Sequence, residues 1–169
     1  VYLRIFRPDR GTRSRGAFDL LQRVPPLSEG TYTLAMDLRS PHLAKLRVGL
    51  CHTHLLYAAS CLQTILRVPS GDDGWRRFSL PLAVGKGSSG VWSAHGLGFL
   101  SLRPEGPTVV LDVDNLSLVD ARGQQLLHNG DLTAGMAHWF FAGCHYFVPW
   151  HIGYLFLETP PVEDVPIPD

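Results

Sequence analysis

The sequence lacks a charge excess of either sign, and it lacks any long apolar run. Lys and Arg together number 15, as do Asp and Glu, which gives a formal net charge of zero. A nucleic-acid-binding domain usually carries a basic excess, so we expect no nucleic acid as a partner. No apolar stretch reaches the roughly 18–20 residues that cross a bilayer, so we expect no direct membrane span.

The start of the chain has no basic segment followed by an apolar run, which a signal peptide would have. It opens instead with Val1-Tyr2-Leu3-Arg4, which is already strand-like. We therefore expect a fragment of a larger parent protein, whose targeting signal lies outside this sequence.

The motifs of common hydrolases and nucleotide-binding enzymes are missing as well. There is no G-x-S-x-G for a serine nucleophile and no H-E-x-x-H for a catalytic zinc. The Gly/Ser-rich loop at residues 85–90 lacks the spacing of a phosphate-binding loop. The four glutamates lie near turns or in the C-terminal tail, and no pair of acids for glycoside hydrolysis can be assigned from spacing. We expect a protein that is not an enzyme.

Cysteine is scarce, and the three cysteines form no C-x-x-C pair, which weakens a zinc-ribbon or thioredoxin-like assignment. Cys51 and Cys61 can close a short disulfide loop in an oxidising compartment, which leaves Cys144 unpaired. Alternatively all three are buried thiols, because free cysteine is among the most buried residue types. The sequence leaves both possibilities open.

Helix signals are few, because 17 glycines and 13 prolines recur between short apolar runs. Residues 31–39 alternate cleanly between apolar and polar positions, as in a half-buried antiparallel strand. Further strands are predicted at residues 2–6, 18–24, 46–50, 62–68, 75–84, 97–103 and 108–119. Short strands separated by turns predict an all-β fold, an antiparallel β-sandwich of jelly-roll type.

The same pattern predicts some of the strand arrangement. Pro81 favours an edge position for the strand at residues 75–84. Residues 54–60 are predicted as a tight turn or a single helical turn. The strands at 97–103 and 108–119 are predicted to pair with each other, and one face of the second is expected to carry Val109, Leu111, Val113 and Asn115.

Three stretches share a pattern with one family. The first contains Gln22, Val24, Leu27, Gly30, Tyr32 and Leu34. The second is Leu-Asp-Val-Asp-Asn-Leu-Ser-Leu at residues 111–118, and the third is Leu-Leu-His-Asn-Gly-Asp-Leu at residues 126–132, followed by Trp139. Over residues 17–139, these stretches resemble carbohydrate-binding modules of the galactose-binding-like jelly-roll superfamily.

The resemblance implies a jelly roll that binds glycan and, as in many members, holds a structural calcium ion between its first and last strands. In the family the Asn-Gly-Asp motif opens the module, whereas here it follows the closing strand. We expect it to fill the first-strand position from the C-terminal side, because about 40 residues are too few for a second core. Leu126, Leu127 and Leu132 would then be buried in one domain of residues 1–157, followed by a Pro-rich acidic tail at 158–169.

Aromatic side chains concentrate in residues 136–157, together with three histidines. Sugar rings stack on exposed Trp and Tyr faces while polar side chains bond their hydroxyls. The candidate sugar-binding residues are Trp92, Trp139, His145, Tyr146 and Trp150. The alternative is that this segment packs into the core, and its first core candidates are Phe140, Phe147, Ile152 and Phe156.

Two further groups suggest metal ions. His52 and His54 would share one side of a strand and, with His145 or His151, can supply three imidazoles to zinc or copper. The alternative is that these histidines are solvated or hydrogen-bonded. Oxygen ligands of the kind that calcium prefers are offered by Asp112, Asp114, Asn129 and Asp131, with Asn115 nearby, and turn chemistry is the alternative role for them.

Together these observations predict a non-catalytic polysaccharide-binding module of a periplasmic or extracellular protein, with glycan as its partner. The alternative is a protein-interaction or structural accessory domain of bacterial envelope glycan machinery, which the apolar C-terminal segment and the Pro-rich tail also fit. A third hypothesis is a metal-dependent enzyme that uses His52 and His54.

Overall fold

The structure is a computed structural model that describes residues 1–7, 18–54, 57–71, 74–85, 97–106, 109–143 and 155–158. Within these residues the chain forms ten strands in two five-stranded sheets. Each strand pair is antiparallel. The predicted all-β antiparallel sandwich is confirmed. No helix in this part of the chain is long and apolar enough to cross a membrane.

The two sheets each combine strands from both halves of the chain. Sheet A contains, in spatial order, Leu155–Glu158 (β10), Tyr2–Arg7 (β1), Val109–Val119 (β8), Gly30–Arg39 (β3) and Arg76–Val84 (β6). Sheet B contains, in spatial order, Tyr57–Val68 (β5), Ala44–His54 (β4), Leu97–Glu105 (β7), Phe18–Val24 (β2) and Trp139–Gly143 (β9). Most links between consecutive strands therefore cross from one sheet to the other.

The core lies between the sheets and follows the period-two pattern of the strands. In β3 the alternate residues Tyr32, Leu34, Met36 and Leu38 are buried, as the sequence predicts. Burial of one such side chain contributes about 2 kcal/mol relative to its exposure. Strand β6 lies at the edge of sheet A with Pro81 exposed, which confirms its predicted position because proline cannot donate to a further strand.

Two predictions of strand arrangement are wrong. Strands β7 and β8 do not pair with each other, because β7 lies in sheet B and β8 lies in sheet A. The chain therefore passes from sheet B to sheet A after Glu105 instead of forming a hairpin. The predicted turn or helical turn at 54–60 is mostly strand, since β4 continues to His54 and β5 begins at Tyr57.

Strand β8 changes its inward face at Asn115. Val109, Leu111 and Val113 face the core, but Asn115 is exposed and has a positive φ of 49°. The pairing with β3 shifts register at this point, as at a β-bulge, and Leu116 becomes the next inward residue. The prediction that Asn115 shares a face with the three apolar residues is therefore wrong.

The Asn-Gly-Asp segment packs into the same sandwich, as predicted. Leu126, Leu127 and Leu132 are 8%, 6% and 0% exposed. The segment is not a regular strand; it follows β8 through bonds from Leu126 N–H to Leu118 O (2.8 Å) and from Leu116 N–H to Gly130 O (2.8 Å). It thus covers one end of the core as an irregular strap.

Cys51 and Cys61 form a disulfide between adjacent strands, with their Cα atoms 4.1 Å apart. They are register partners in the β4–β5 pair, so the bond joins two residues that lie directly opposite each other. This settles the choice between a bridge and free thiols for that pair. Cys144 and the predicted tail beyond Glu158 lie outside the described residues.

Candidate functional site

A groove of about 520 Å³ lies where strands β2 and β9 meet the end of the Asn-Gly-Asp segment. We call it the β2–β9 groove. Its lining combines cationic, imidazole and aromatic side chains, namely Arg23, Val24, Pro25, His128, His138, Trp139 and Phe140. Such a mixture of apolar walls and a few polar donors is typical of small-molecule and sugar sites.

Phe140 is the exposed aromatic side chain of this groove. It is 38% exposed, and its ring contacts that of Phe99 edge to face, with centroids 5.8 Å apart and planes at 83°. Trp139, the preceding residue in β9, points the other way and is 5% exposed. The prediction that Phe140 packs in the core is therefore wrong, because alternation along β9 places the tryptophan inside and the phenylalanine outside.

The loop of residues 128–139 is held in one conformation by its own polar groups. The Asn129 side-chain amide donates to Gly135 O (2.8 Å) and Ala137 O (3.1 Å), and its Oδ1 accepts from Ala134 N–H (2.9 Å). The indole N–H of Trp139 donates to the carbonyl of Asn129 at 3.1 Å. The residues of the Asn-Gly…Trp pattern thus form a hydrogen-bonded loop that borders the groove.

This loop places two imidazoles beside each other at the mouth of the groove. The rings of His128 and His138 have centroids 4.9 Å apart and an interplanar angle of 32°. Both residues are exposed, and His138 has a φ of +70°, which is uncommon for a residue other than glycine. Imidazole nitrogens can donate to or accept from sugar hydroxyls at this position.

The buried side chain of Gln22 fixes the backbone of His128 through two hydrogen bonds. This side chain is 1% exposed; it donates to His128 O (2.9 Å) and accepts from His128 N–H (2.7 Å). A leucine at this position fills a similar volume but leaves both backbone groups unbonded, at a cost of about 1–3 kcal/mol each when they are buried.

We expect Gln22→Leu to lower the free energy of unfolding by about 2 kcal/mol and to weaken any ligand bound in the β2–β9 groove. Urea denaturation and a binding assay on the same sample check the two effects. The exposed Gln124 provides a control, and Gln124→Leu should change neither quantity. A Gln22→Leu protein with unaltered stability would show that these two hydrogen bonds do not hold the loop.

Beyond the groove, the outer face of sheet B carries ion pairs. Arg103 on β7 pairs with Asp19 on β2, and Arg47 on β4 pairs with Glu105 on β7. Gln63 on β5 accepts from Arg47 at 3.2 Å. The outer face of sheet B therefore carries an aromatic side chain at its β9 edge, and ion-paired and hydrogen-bonded side chains across its other strands.

The structure brings together groove residues that are outside the predicted sugar-binding set: Arg23, His128, His138 and Phe140. His138 and Phe140 belong to the aromatic segment that the sequence singled out. Of the predicted sugar-binding residues, Trp139 contributes an edge to the groove wall rather than an exposed ring face. The other four lie outside the described residues: Trp92, His145, Tyr146 and Trp150. Period-two alternation across Trp139 and Phe140 was the signal for an exposed aromatic, but the sequence does not show which parity faces the core.

The residues predicted to bind calcium have other partners in the structure. The Asp112 carboxylate accepts from Arg4 and Arg39, and Asn129 uses both ends of its amide within its loop. The Asp131 carboxylate accepts a hydrogen bond from the Thr133 hydroxyl. Burial raises the pKa of Asp114, although a hydrogen bond from the Asn115 backbone N–H lowers it in part. No group of three or more His, Cys, Asp or Glu among the described residues is arranged to hold a metal ion. The calcium site stays a prediction.

His52, from the proposed histidine metal set, points into the sandwich. It is 6% exposed, and neither of its ring nitrogens has a hydrogen-bond partner among the residues that the structure describes. The side chains of His54, His145 and His151 are outside the described set, so the histidine metal site also stays a prediction.

The sandwich has a counterpart among solved structures. The structure described as "PbXyn10C CBM APO", a ligand-free carbohydrate-binding module of a xylanase, aligns with a TM-score of 0.63 at 16% identity, covering 91% of this chain and 84% of that chain. No protein-family model matches the chain, and no curated protein matches it. The chain therefore has the fold of a carbohydrate-binding module, as the resemblance predicts.

Proposed function

We propose that the chain is a non-catalytic carbohydrate-binding module that binds polysaccharide on the outer face of sheet B, with the β2–β9 groove as the central contact. The observation that carries the proposal is the exposed Phe140 ring beside two imidazoles and a guanidinium. A sugar ring can stack its C–H face on the phenyl ring while His and Arg N–H groups donate to its hydroxyls. The likeness to a module from a xylanase supports a glycan ligand, and xylan is the first polysaccharide to test.

The proposal includes a larger parent protein and a periplasmic or extracellular location. The Cys51–Cys61 disulfide supports this location, because structural disulfides persist in oxidising compartments. A module of this kind keeps the protein to which it is attached close to an insoluble or polymeric glycan.

Affinity electrophoresis in native gels that contain xylan or other soluble polysaccharides tests the proposal. We expect the wild type to be retarded and Phe140→Ala to bind about tenfold more weakly, because the stacking surface is lost. Ile65 is the matched control, since it is 50% exposed on β5 at the opposite edge of the same sheet. Ile65→Ala should be retarded like the wild type.

Two results would contradict this function. A folded Phe140→Ala that binds as the wild type does would move the site away from the groove. A wild type that migrates unchanged in each polysaccharide would favour the alternative, a protein-interaction domain, in which the exposed aromatic edge contacts a protein.

A further inference from the structure

The polar side chains described in the lining of the β2–β9 groove are nitrogen donors, and none of them is a carboxyl or an amide group. Arg23 and His138 lie one step beyond Gln22 and Trp139, the last register pair of β2 and β9. His128 lies beside His138, with ring centroids 4.9 Å apart. One guanidinium and two imidazoles therefore meet in a single groove.

The positive charge of Arg23 is not neutralised by any residue that the structure describes. Its side chain is exposed and has neither an ion pair nor a hydrogen bond in this part of the chain. The next carboxyl group along the same face of β2 is that of Asp19, about 13 Å away along the strand, and both of its oxygens accept from Arg103. Glu29 and Asp131, on the two loops that contribute to the groove, do not line it, and Asp131 is hydrogen-bonded within its own loop.

A lining of this composition suits a ligand group that only accepts hydrogen bonds. A guanidinium offers five N–H donors and no acceptor, and a protonated imidazole offers two donors and no acceptor. Each hydroxyl of a neutral sugar brings a proton that needs an acceptor, which the guanidinium does not supply. A carboxylate accepts only, and a guanidinium can bind it through two parallel hydrogen bonds. An anion beside the two imidazoles also offsets their repulsion when both are protonated.

We propose that the β2–β9 groove is selective for an acidic sugar, such as a hexuronic acid residue of a polysaccharide, whose carboxylate contacts Arg23, His128 and His138. The inference rests on the proposed carbohydrate-binding function and names the ligand class of that same groove. The sugar ring stacks on Phe140, and the carboxylate adds charge-assisted hydrogen bonds to this contact. A neutral sugar keeps the stacking contact and binds more weakly.

The experiment is isothermal titration of the whole chain with a glucuronic-acid-bearing oligosaccharide and with the same oligosaccharide after its carboxyl group is reduced to an alcohol. We expect the wild type to bind the acidic form about tenfold more tightly at about pH 8. The preference should increase at about pH 5.5, because histidine side chains gain charge across this range whereas a carboxyl group stays ionised. Added salt should reduce the preference.

Two arginine variants locate the charge that gives the preference. Arg23→Gln should fold, since its side chain is exposed and holds no described partner, and its affinities for the two oligosaccharides should differ by less than about threefold. Arg67 is the matched control, because it is exposed on β5 at the opposite edge of sheet B. Arg67→Gln removes the same charge from the protein and should keep the tenfold preference of the wild type.

The outcomes separate this inference from the proposed function. Equal wild-type affinity for the two oligosaccharides overturns the acidic preference, and the groove proposal still stands if Phe140→Ala abolishes binding of the reduced form. A preference that survives in Arg23→Gln, or that Arg67→Gln removes equally, overturns the assignment of the carboxylate to this groove. A preference that is the same at both pH values also overturns it, because the imidazoles then take no part. If the wild type binds neither form, both proposals fail.

Discussion

We expect the replacement of Asp112 by alanine to lower the free energy of unfolding by about 3 kcal/mol. Its carboxylate is buried and accepts hydrogen bonds from Arg4 and Arg39. Without it, two like charges face each other across one strand with no anion between them. Because both guanidiniums are partly exposed, water compensates for some of the loss, and the effect falls at the lower end of the range for a broken buried pair. Urea denaturation measures this change in the free energy of unfolding, and equal m-values for the two proteins would show that stability alone has changed.

Glu105 provides the control for this prediction. It pairs with Arg47 on the outer face of sheet B, and the two side chains are 24% and 36% exposed. Glu105→Ala should therefore lower the free energy of unfolding by less than about 1 kcal/mol. Similar losses for the two variants would mean that Asp112 does not act as a buried bridge between two arginines.

Gly130→Ala should be about as damaging, with a loss of about 3 kcal/mol. An added Cβ would lie 1.9 Å from the backbone oxygen of Leu116. Neither the Asn-Gly-Asp segment nor β8 can move aside without breaking the hydrogen bond from Leu116 N–H to Gly130 O. The segment would have to leave β8, and it carries both His128 and the carbonyl that holds Trp139. The variant should therefore also bind polysaccharide more weakly than the wild type.

Gly74→Ala is the control for the glycine substitution. A Cβ at Gly74 meets no atom of the described residues within 4 Å, so the stability of this variant should stay within about 0.5 kcal/mol of the wild type. Thermal unfolding of the three proteins side by side makes the comparison. A Gly130→Ala protein as stable as Gly74→Ala would contradict the close packing of the strap on β8.

Local patterns in the sequence predict most of the fold. The alternation in β3 and the apolar residues of the Asn-Gly-Asp segment predicted burial, and Pro81 predicted an edge strand; the structure confirms these predictions. Strand pairing was harder, because β7 and β8 are consecutive and their spacing is that of a hairpin, yet they belong to different sheets. Sequence separation does not show whether a short link turns within a sheet or crosses the core.

The candidate site was less predictable for a related reason. In a strand with aromatic residues at successive positions, the sequence does not show which of them faces the core. The pairing of β9 with β2 places Trp139 inside and Phe140 outside. His128 and His138 are ten residues apart and meet because the Asn129 side chain closes the loop between them. Arg4, Arg39 and Asp112 come from three distant strands, so no spacing rule would join them.

A two-dimensional NMR titration can locate the sugar on the wild-type protein. The ligand is a neutral oligosaccharide cut from the polysaccharide that retards the protein in the native gel. We expect the amide shift changes to concentrate around the β2–β9 groove, at Arg23, Phe99, His128, His138 and Phe140. Shifts that lie elsewhere on the surface, or a spectrum unchanged by saturating oligosaccharide, would contradict the claim that this groove binds sugar.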